Sequence, residues 1–353
     1  ARGKGQGVGF HYGFPIHRTL DPGPWTLIEI DCRKPTADSY RMTWSPLQFT
    51  PLYKERPWGG STLEGWGGRH PPAGKKIGES WELCDRSEDQ SVVAHGHFAG
   101  KTLRWLMENH GRELVGDSSD PNKPFPLLIK LLDCREKLSL QVHPPQHAAG
   151  RLRGEPKTES WFILKADTGA RLMAGLKKGA TRQAFEHALK THKLEPLVHE
   201  FGVKTGDYIF IPSGRIHAIG GGLLILEIQQ NSDTTFRVYD WGRVGLDGKP
   251  RDLHLRESME SIDFNDFEPP PNGIDHATGT LVLCPEFSVA LQTGNSCDEL
   301  NLAGFKLVYV LEGRGRIGGH EMKQDEFYLL PAAMKQAKVE GDGQFRFFVA
   351  GVP

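Results

Sequence analysis

Residues 126–145 read PLLIKLLDCREKLSLQVHPP, and this stretch indicates the fold of the chain. It contains two short apolar runs, Pro126 to Leu132 and Leu138 to Val142, separated by a polar segment. Runs of this length and composition are typical of β-strands. Because alternate residues of a strand point to the same face, Gln141 and His143 are expected to enter one cavity, and the Pro-Pro pair that follows would end the strand there.

The rest of the chain repeats this pattern of short apolar runs joined by segments rich in Gly and Pro. Further predicted strands are Ser160 to Leu164, Tyr208 to Ile211, Leu223 to Gln229, Lys306 to Leu311 and Phe345 to Val349. Two other segments, Lys101 to Val115 and Thr181 to Phe201, have apolar residues at helical spacing. Neither alternates with strands as a βαβ unit would require. The sequence therefore predicts a mainly β protein, a sandwich, barrel or jelly roll, with a small helical insertion.

The composition restricts the class of protein. The 353 residues include 43 Lys and Arg against 44 Asp and Glu, so the net charge is -1 and the pI is about 7.0. This balance argues against binding to nucleic acid or to an acidic membrane surface, both of which need an excess of positive charge. No uncharged apolar run approaches the ~18 residues of a membrane span. The five cysteines are scattered and include no CxxC pair, so we expect a soluble protein of a reducing cytoplasm.

Three regions are expected along the chain. Residues 1–41 carry Gly, Pro and isolated charges without clear periodicity, so we predict an irregular N-terminal extension and a natural start at Met42. A larger, metal-binding domain would span residues 42–270, and a smaller C-terminal domain would span residues 271–353. The Pro-rich stretch Glu268 to Asn272 is the predicted linker between them.

A short internal sequence similarity relates these two domains. The segment GDYIFIPSGRIH, which begins at Gly206, resembles DEFYLLPAAMKQ, which begins at Asp325. The alignment of their prolines places Gln336 opposite His217. We therefore predict two related β-units, the second of which lacks metal-ligand side chains.

Four side chains form a candidate metal site. Gln141 and His143 lie at the end of one predicted strand, Glu159 begins another in KTESW, and the turn in IPSGRIH delivers His217 to a third. Two imidazoles, a carboxylate and an amide are a donor set suited to zinc or another divalent transition metal. Any one of these residues alone is more often an ordinary hydrogen-bonded or surface residue, but together they lie at strand ends, where a jelly roll opens. Three further histidines are expected to be solvated: His187, His192 and His199.

Two cations lie in apolar strands. A charge is costly when it is buried without a partner. Arg237 would therefore either face a cavity that holds an anion or carboxylate, or form a salt bridge to Asp233 or Asp240. Lys130, inside PLLIKLL, would likewise either extend from a strand edge or face a polar cavity.

Three further residues are candidates for a substrate site. Glu227 alternates with apolar residues in its strand, and Lys157 shares a strand face with Glu159. Trp58 lies in a segment rich in Gly and Trp, where an indole either packs in the core, which is the commoner use, or stacks against a sugar.

These segments together resemble the mannose-6-phosphate isomerases of the short bacterial class, which are metal-dependent enzymes of the cupin superfamily. The resemblance runs from about Met42 to the end of the chain. The segments that carry it are PLYKERPWGG, KIGESWELCDR, FPLLIKLLDCREKLSLQVHPP, KTESWFIL, GDYIFIPSGRIHAIG and LEIQQNSDTTFRVYDWGR. The resemblance implies a double-stranded β-helix, the cupin jelly roll, followed by a smaller cupin-like domain without metal ligands.

The resemblance also implies a zinc ion, one per chain. Its expected ligands are Gln141, His143, Glu159 and His217. Arg237 matches the active-site arginine of the family. The positions that line the family's substrate pocket correspond to Lys130, Lys157 and Glu227.

The implied activity is the reversible isomerisation of mannose 6-phosphate and fructose 6-phosphate through a cis-enediol. A base moves a proton between C2 and C1; Glu227 is the predicted base, with Lys157 or a metal-bound hydroxide as the alternatives. Zinc would polarise the substrate oxygens, and Arg237 would stabilise the enediolate or hold the phosphate. Lys130 and Trp58 would bind the substrate.

Two other functions are compatible with these residues. One is a metal-dependent cupin with another substrate, such as a different sugar phosphate, or a dioxygenase, because iron dioxygenases also use two histidines and a carboxylate. The other is a non-catalytic sugar-binding cupin. For any of them we expect a monomer or a weak homodimer in the cytoplasm, with no nucleic-acid or membrane partner.

Overall fold

The computed structural model describes residues 43–117, 119–191, 193–274, 278–295 and 298–353. The predicted extension over residues 1–41, together with Met42 and His192, lies outside the described residues. Residues 43–353 form one unit. None of the helices in the described ranges is both long and apolar enough to cross a membrane.

The larger part of the chain consists mostly of short strands. Its strands are β1 Phe49–Thr50, β2 Leu52–Gly60, β3 Ile77–Leu83, β4 Val92–Val93, β5 Leu127–Cys134, β6 Leu140–Val142, β7 Glu159–Ala166, β8 Arg171–Leu176, β9 Val198–Gly202, β10 Asp207–Ile211, β11 His217–Ile219, β12 Leu223–Gln230, β13 Phe236–Tyr239 and β14 Asn272–Gly273. Its α-helices are α1 Leu103–Val115, α2 Gln146–Ala149, α3 Arg182–Thr191 and α4 Leu255–Ser261.

Two antiparallel sheets face each other in this part. The large sheet has the strand order β14-β10-β7-β12-β5-β2-β3, and the small sheet has the order β13-β6-β11-β8-β9. From β5 to β13 the chain passes back and forth between the two sheets. Trp161 and Ile225 of the large sheet pack with Leu172 and Ile219 of the small sheet in a shared core. This alternation is the arrangement of a jelly roll, so the predicted fold class is confirmed.

Strand β5 is apolar along its whole length because both of its faces are covered. All eight of its residues are buried. On one face, Leu132 packs in the core between the two sheets. On the other face, Ile129 lies beside Leu307 and Phe348 of the C-terminal part. This double coverage explains why the run PLLIKLL does not show the polar alternation of a strand with one face in water.

The C-terminal part forms two further antiparallel sheets. Its strands are β15 Gly279–Leu283, β16 Ser288–Thr293, β17 Glu299–Leu302, β18 Lys306–Glu312, β19 Arg314–Ile317, β20 His320–Lys323, β21 Phe327–Leu330, β22 Lys335–Glu340 and β23 Arg346–Gly351. One sheet has the order β15-β16-β23-β18-β21, and the other has the order β17-β22-β19-β20. Phe348 of this part lies against Phe162 of β7, with ring centroids 4.5 Å apart. Strand β14 pairs with β10 of the large sheet, and the domain boundary between residues 270 and 271 stays a prediction.

The two similar segments, which begin at Gly206 and Asp325, have the same local structure. Pro212 directly follows β10, and Pro331 directly follows β21. After each proline a turn leads into another strand, which His217 begins in one case and which contains Gln336 in the other.

The first predicted helix is confirmed as α1. The side chain of Thr102 caps its start by accepting a hydrogen bond from the backbone N–H of Trp105 at 3.0 Å. Gly116 follows its last turn with a φ of 65°, a conformation that glycine adopts without steric cost. The sequence patterns do not predict helices α2 and α4.

The second predicted helix, Thr181 to Phe201, is wrong in its second half. Helix α3 ends at Thr191, and the chain enters β9 at Val198. Phe201 of β9 lies opposite Leu172 of β8, so tertiary strand pairing overrides the local helical spacing. Two of the three histidines expected to be solvated are in the described residues: His187 is exposed, whereas His199 is half-buried, which corrects that prediction.

Candidate metal centre and substrate cavity

Three buried side chains converge where strands of the two sheets begin or end. His143 directly follows β6, Glu159 begins β7 and His217 begins β11. Their ligand atoms lie within 4.8 Å of one another. Within the described ranges this is the one such group of three or more His, Cys, Asp or Glu side chains.

The register of the strands produces this convergence. His217 on β11 lies directly opposite Gln141 on β6, and Gln141 lies opposite Arg237 on β13. Directly opposite residues of neighbouring strands point to the same face. Gln141, His217 and the predicted active-site arginine therefore share one face of the small sheet, and Glu159 reaches the cluster from β7 of the large sheet.

Both histidines present a nitrogen lone pair to the cluster. Nδ1 of His143 lies 2.8 Å from the carbonyl oxygen of Thr234, and Nδ1 of His217 lies 2.9 Å from that of Arg215. Because a carbonyl oxygen can only accept, each Nδ1 carries the hydrogen and each Nε2 is left as an acceptor. Burial lowers the pKa of both imidazoles, that of His217 to about 3, so both are neutral at pH 7.

Glu159 supplies negative charge between the two imidazoles. Its oxygens lie 3.6 Å from Nε2 of His143 and 3.5 Å from Nε2 of His217. Neither oxygen accepts a hydrogen bond of normal geometry from the described residues, although the ammonium of Lys157 lies 2.9 Å from Oε2. Burial alone would raise the pKa of Glu159, but Lys157, followed by His143, holds that pKa well below its usual range.

These features fit a divalent transition metal. Two neutral imidazole nitrogens and an ionised carboxylate without hydrogen bonds converge in a buried site. Each imidazole is oriented by a backbone carbonyl at its other nitrogen, as metal-bound histidines usually are. Gln141 presents its Nε2 to Nε2 of His217 at 3.1 Å. A flip of the amide would exchange its nitrogen and oxygen, so Gln141 could supply an oxygen ligand.

A cavity of about 570 Å³ lies beside the cluster. Its wall includes Gln141 and Lys157, which contact His217 and His143 respectively. The predicted catalytic and substrate-binding residues all line it: Trp58, Lys130, Lys157, Glu227 and Arg237. Trp58 also packs in the core between the sheets, which is one of its two predicted uses, and its stacking against a sugar stays a prediction. The structure thus brings the predicted site residues together, and their individual roles stay predictions.

A row of charged side chains of alternating sign runs along the inner face of the large sheet, and we call it the charge row. Its members, in spatial order, are Arg56, Glu79, Lys130, Glu227, Lys157 and Glu159. Neighbouring charged groups in the row lie between 2.8 and 4.0 Å apart. The balance of cations and anions offsets the cost of burying each charge.

The sequence patterns did not single out Glu79 and Arg56. The guanidinium of Arg56 donates to both oxygens of Glu79, at 2.8 and 3.1 Å, and Nε1 of Trp81 donates to Oε2 of Glu79 at 2.7 Å. Burial alone would raise the pKa of Glu79, but Lys130 and Arg56 lower it to about 2. Glu79 and Trp81 alternate in IGESW as Gln141 and His143 do in LSLQVH, so the same spacing could have identified Glu79.

Glu227 is the carboxylate at the middle of the charge row. Nε1 of Trp161 donates to its Oε1 at 3.0 Å, and Nζ of Lys130 lies 3.6 Å from its Oε2. Burial raises the pKa of Glu227 to about 7; Lys157 opposes this increase, and Glu159 adds to it. Lys130 itself faces the cavity and its carboxylates rather than extending from a strand edge, which decides between its two predicted positions.

Arg237 lies in the cavity wall and has no carboxylate partner among the described residues. Its Nη1 donates to the carbonyl oxygen of Asp252 at 2.9 Å. Its buried Nε has no hydrogen-bond partner in the described part of the chain. Asp240 is instead paired with Arg251 at 2.6 Å, and Asp233 lies 3.9 Å from Lys130. Of the two predicted alternatives for Arg237, the structure therefore shows the cavity-facing one.

The chain is similar in sequence to known phosphomannose isomerases. Residues 47–167 match the family described as phosphomannose isomerase type I, catalytic domain. The chain is 37% identical over 313 residues to the mannose-6-phosphate isomerase ManA of Bacillus subtilis. The matched region covers 85% of this chain and 97% of that protein. It is 35% identical over 312 residues to the mannose-6-phosphate isomerase of Streptococcus mutans, covering 84% of this chain and 96% of that protein.

A solved structure is similar to this chain as well. The crystal structure of the mannose 6-phosphate isomerase from Bacillus subtilis superposes with a TM-score of 0.76 and 31% identity, covering 88% of this chain and 100% of that one. Similarity in sequence and in fold thus extends over most of the chain. This protein therefore belongs to the mannose-6-phosphate isomerase family, the type I phosphomannose isomerases.

Proposed function

We propose that this protein catalyses the reversible isomerisation of mannose 6-phosphate and fructose 6-phosphate through a cis-enediol. One observation carries the proposal: a single cavity beside the His143, Glu159 and His217 cluster is lined by both Glu227 and Arg237. The first is a carboxylate whose pKa lies near neutrality, and the second is a guanidinium without a carboxylate partner in the described residues. The relatives from Bacillus subtilis and Streptococcus mutans are named for this activity.

Zinc is the metal we propose for this site, with one ion per chain. His143, Glu159 and His217 would hold it, and Gln141 would be the fourth ligand. When bound, zinc supplies a Lewis acid that polarises the carbonyl and hydroxyl oxygens of the substrate. The neutral state of the two imidazoles supports this assignment, because a protonated imidazole cannot bind a metal.

Glu227 is the proposed base. The reaction requires a proton to leave C2 of the open-chain aldose and to return at C1. A pKa near 7 suits both steps, because the carboxylate can take up and release a proton at neutral pH. Lys157 is the alternative base, but in the metal-free protein its amine is protonated: burial alone would lower its pKa, and Glu159 and Glu227 raise it.

Arg237 is the proposed binding residue for the anionic part of the substrate. The charge row is already balanced within itself, so its cations are occupied by carboxylates. Arg237 is the guanidinium of the cavity wall that can form charge-assisted hydrogen bonds to a phosphate or to the enediolate oxygen. Lys130 and Trp58 would complete the binding site for the sugar.

The test is an isomerisation assay with purified, zinc-loaded protein. We expect interconversion of mannose 6-phosphate and fructose 6-phosphate, its loss on chelation, and its return on addition of zinc. Glucose 6-phosphate in a parallel reaction distinguishes a metal-dependent cupin with a different sugar-phosphate substrate. A zinc-loaded protein that binds mannose 6-phosphate but does not isomerise it would be a non-catalytic sugar-binding cupin and would overturn the proposal.

We also propose a cytoplasmic enzyme that is a monomer or a weak homodimer. The three cysteines of the described residues, Cys84, Cys134 and Cys284, are free thiols, which supports a reducing compartment. Analytical ultracentrifugation over a range of concentrations would measure the oligomeric state. Limited proteolysis between residues 270 and 278 would test the proposed division into two domains.

A further inference from the structure

Trp161 connects the candidate metal centre to the candidate base. It lies on β7, two residues after Glu159, and is fully buried. Its indole N–H donates to Oε1 of Glu227 at 3.0 Å. Its ring stands edge-on against the imidazole of His217, with centroids 5.2 Å apart and an angle of 83° between the planes. One side chain therefore contacts a proposed metal ligand and the proposed base at the same time.

The orientation of Trp161 is set by strand register. Trp161 lies directly opposite Glu227 across β7 and β12, so both side chains emerge on the same face of the large sheet. A buried indole has few alternative rotamers in a packed core, and its single N–H points in one direction. The position of the donor is therefore determined by the backbone pairing of the two strands.

The indole is also the hydrogen-bond donor that determines how Glu227 is turned. The nearest ammonium groups are farther away, with Nζ of Lys130 3.6 Å from Oε2 and Nζ of Lys157 3.9 Å from Oε1. Among the described residues, Trp161 is the one side chain within hydrogen-bond distance of the carboxylate. With Oε1 held by the indole, Oε2 is the oxygen left to face Lys130 and the cavity.

We propose that Trp161 is a positioning residue, whose N–H fixes Oε1 of Glu227 so that Oε2 is presented to the substrate. The inference rests on the proposed function of Glu227 as the base. The same arrangement recurs on the other side of Lys130, where Nε1 of Trp81 donates to Oε2 of Glu79 at 2.7 Å. The two carboxylates that flank Lys130 in the charge row are thus each held by an indole.

The experiment compares two substitutions in the zinc-loaded enzyme. Trp161→Phe keeps an aromatic ring beside His217 but removes the N–H. Trp161→3-benzothienylalanine, made by incorporation of the unnatural amino acid, keeps the bicyclic shape and replaces the N–H by sulfur, so it preserves the packing if the phenylalanine variant fails to fold. For both variants we expect kcat to fall by about 10- to 100-fold, because a small displacement of a reacting group has an effect of this size.

Two further readouts separate positioning from a structural role. We expect KM to stay within about twofold of wild type, because Trp161 acts through Glu227 and does not contact the substrate. We expect the full zinc content to be retained. The matched control is Trp66→Phe, which removes the indole hydrogen bond to the hydroxyl of Tyr309, 3.2 Å long and outside the cavity. We expect this control to keep the wild-type kcat.

Each outcome has a defined meaning. A wild-type kcat in the benzothienylalanine variant overturns the positioning role. Loss of zinc from that variant also overturns it, because Trp161 would then support His217 rather than Glu227. If Glu227→Gln keeps the wild-type kcat while the Trp161 variants are slow, the inference fails because Glu227 is not the base. A zinc-loaded wild type that does not isomerise overturns the proposed function and the inference together.

Discussion

The ammonium of Lys157 lies 2.9 Å from Oε2 of Glu159, and so a side-chain cation rests against a proposed metal ligand. The same ammonium lies 3.4 Å from Nε2 of His143. A metal ion bound at these atoms would repel the ammonium, because like charges at such distances in a buried site interact strongly. Metal binding and the charge of Lys157 are therefore expected to oppose each other.

Lys157→Met tests this opposition. Without the ammonium, Glu159 stays buried in the metal-free protein and lacks its main countercharge. We therefore expect the unfolding free energy of the metal-free variant to be about 3 kcal/mol lower than that of the wild type. Zinc should then stabilise the variant more than it stabilises the wild type. Thermal melts with and without zinc measure the difference, and Lys165→Met on the exposed end of β7 is the control. Equal zinc-induced shifts in Lys157→Met and wild type would contradict the opposition.

His217→Ala tests the metal centre itself. Loss of a residue that merely orients a metal ligand lowers metal affinity by about 10- to 100-fold, so removal of a ligand should lower zinc affinity by more than about 100-fold. We expect elemental analysis to find little zinc in the variant and the isomerase assay to find little activity. The exposed His187 provides the matched control, since His187→Ala should keep both. Retention of full zinc content by His217→Ala would rule out the proposed ligand set.

If Glu227 is the base, its raised pKa predicts that activity depends on pH. The base must be ionised, and the pKa of Glu227 is raised to about 7. We expect kcat/KM to fall as the pH decreases through this value, with the slope of a single proton. A bound dication near Glu159 favours the ionised form, so in the zinc-loaded enzyme the midpoint should lie at or below pH 7. A profile that is flat from about pH 5 to 8, or an active Glu227→Gln variant, would exclude Glu227 as the base.

The raised pKa of Glu227 also makes the stability of the metal-free protein depend on pH. Stability should fall as the pH rises, whereas activity should increase. The pKa of Glu227 is higher in the folded state than the ordinary value of 4.5. Between these two values the folded state holds a proton that the unfolded state has released, so stability decreases as the pH rises. Urea unfolding at several pH values should show that Glu227→Gln loses this decrease.

Arg237→Met tests the binding of the substrate anion. A hydrogen bond to a charged group contributes about 1.5–3 kcal/mol, so we expect kcat/KM to fall by about 10- to 100-fold, mainly through KM. Stability should change little, because the guanidinium has no ion-pair partner in the described residues to leave unpaired. The control is Arg215→Met, which breaks a bidentate pair with Asp266 at 2.7 Å and should lower stability instead. An unchanged KM in Arg237→Met would refute the assignment.

A buried ion pair lies away from the cavity, and we expect its removal to change the stability of the protein only. Arg69 and Glu82 are 5% and 4% exposed, and their closest atoms lie 2.7 Å apart. Arg69→Met should cost about 3–5 kcal/mol, because it leaves the Glu82 carboxylate buried without a countercharge. The double variant Arg69→Met, Glu82→Leu should recover most of this loss in urea unfolding, since it removes the unpaired charge. A double variant as unstable as the single one would show that packing, and not charge, explains the cost.

The strands and the donor atoms of the site could be predicted from the sequence because both are local properties. Alternation with a period of two identifies a strand and assigns Gln141 and His143 to one face without reference to the rest of the fold. The resemblance of the ordered segments to one family then indicated the jelly roll and the ligand set. Where a distant strand intervened, local pattern failed: the helical spacing continues to Phe201, yet pairing with β8 makes that segment a strand.

Only the tertiary structure decided the electrostatics of the cavity. Arg237 had two equal alternatives in the sequence, and the partners that Asp233 and Asp240 find elsewhere selected one of them. The pKa of Glu227 depends on its burial and on charges carried by other strands. The sequence alone determines residue types and their spacing. The energy of a charge depends instead on its burial and on the charges around it. Burial and neighbouring charges are both set by the packing of strands that are distant in sequence.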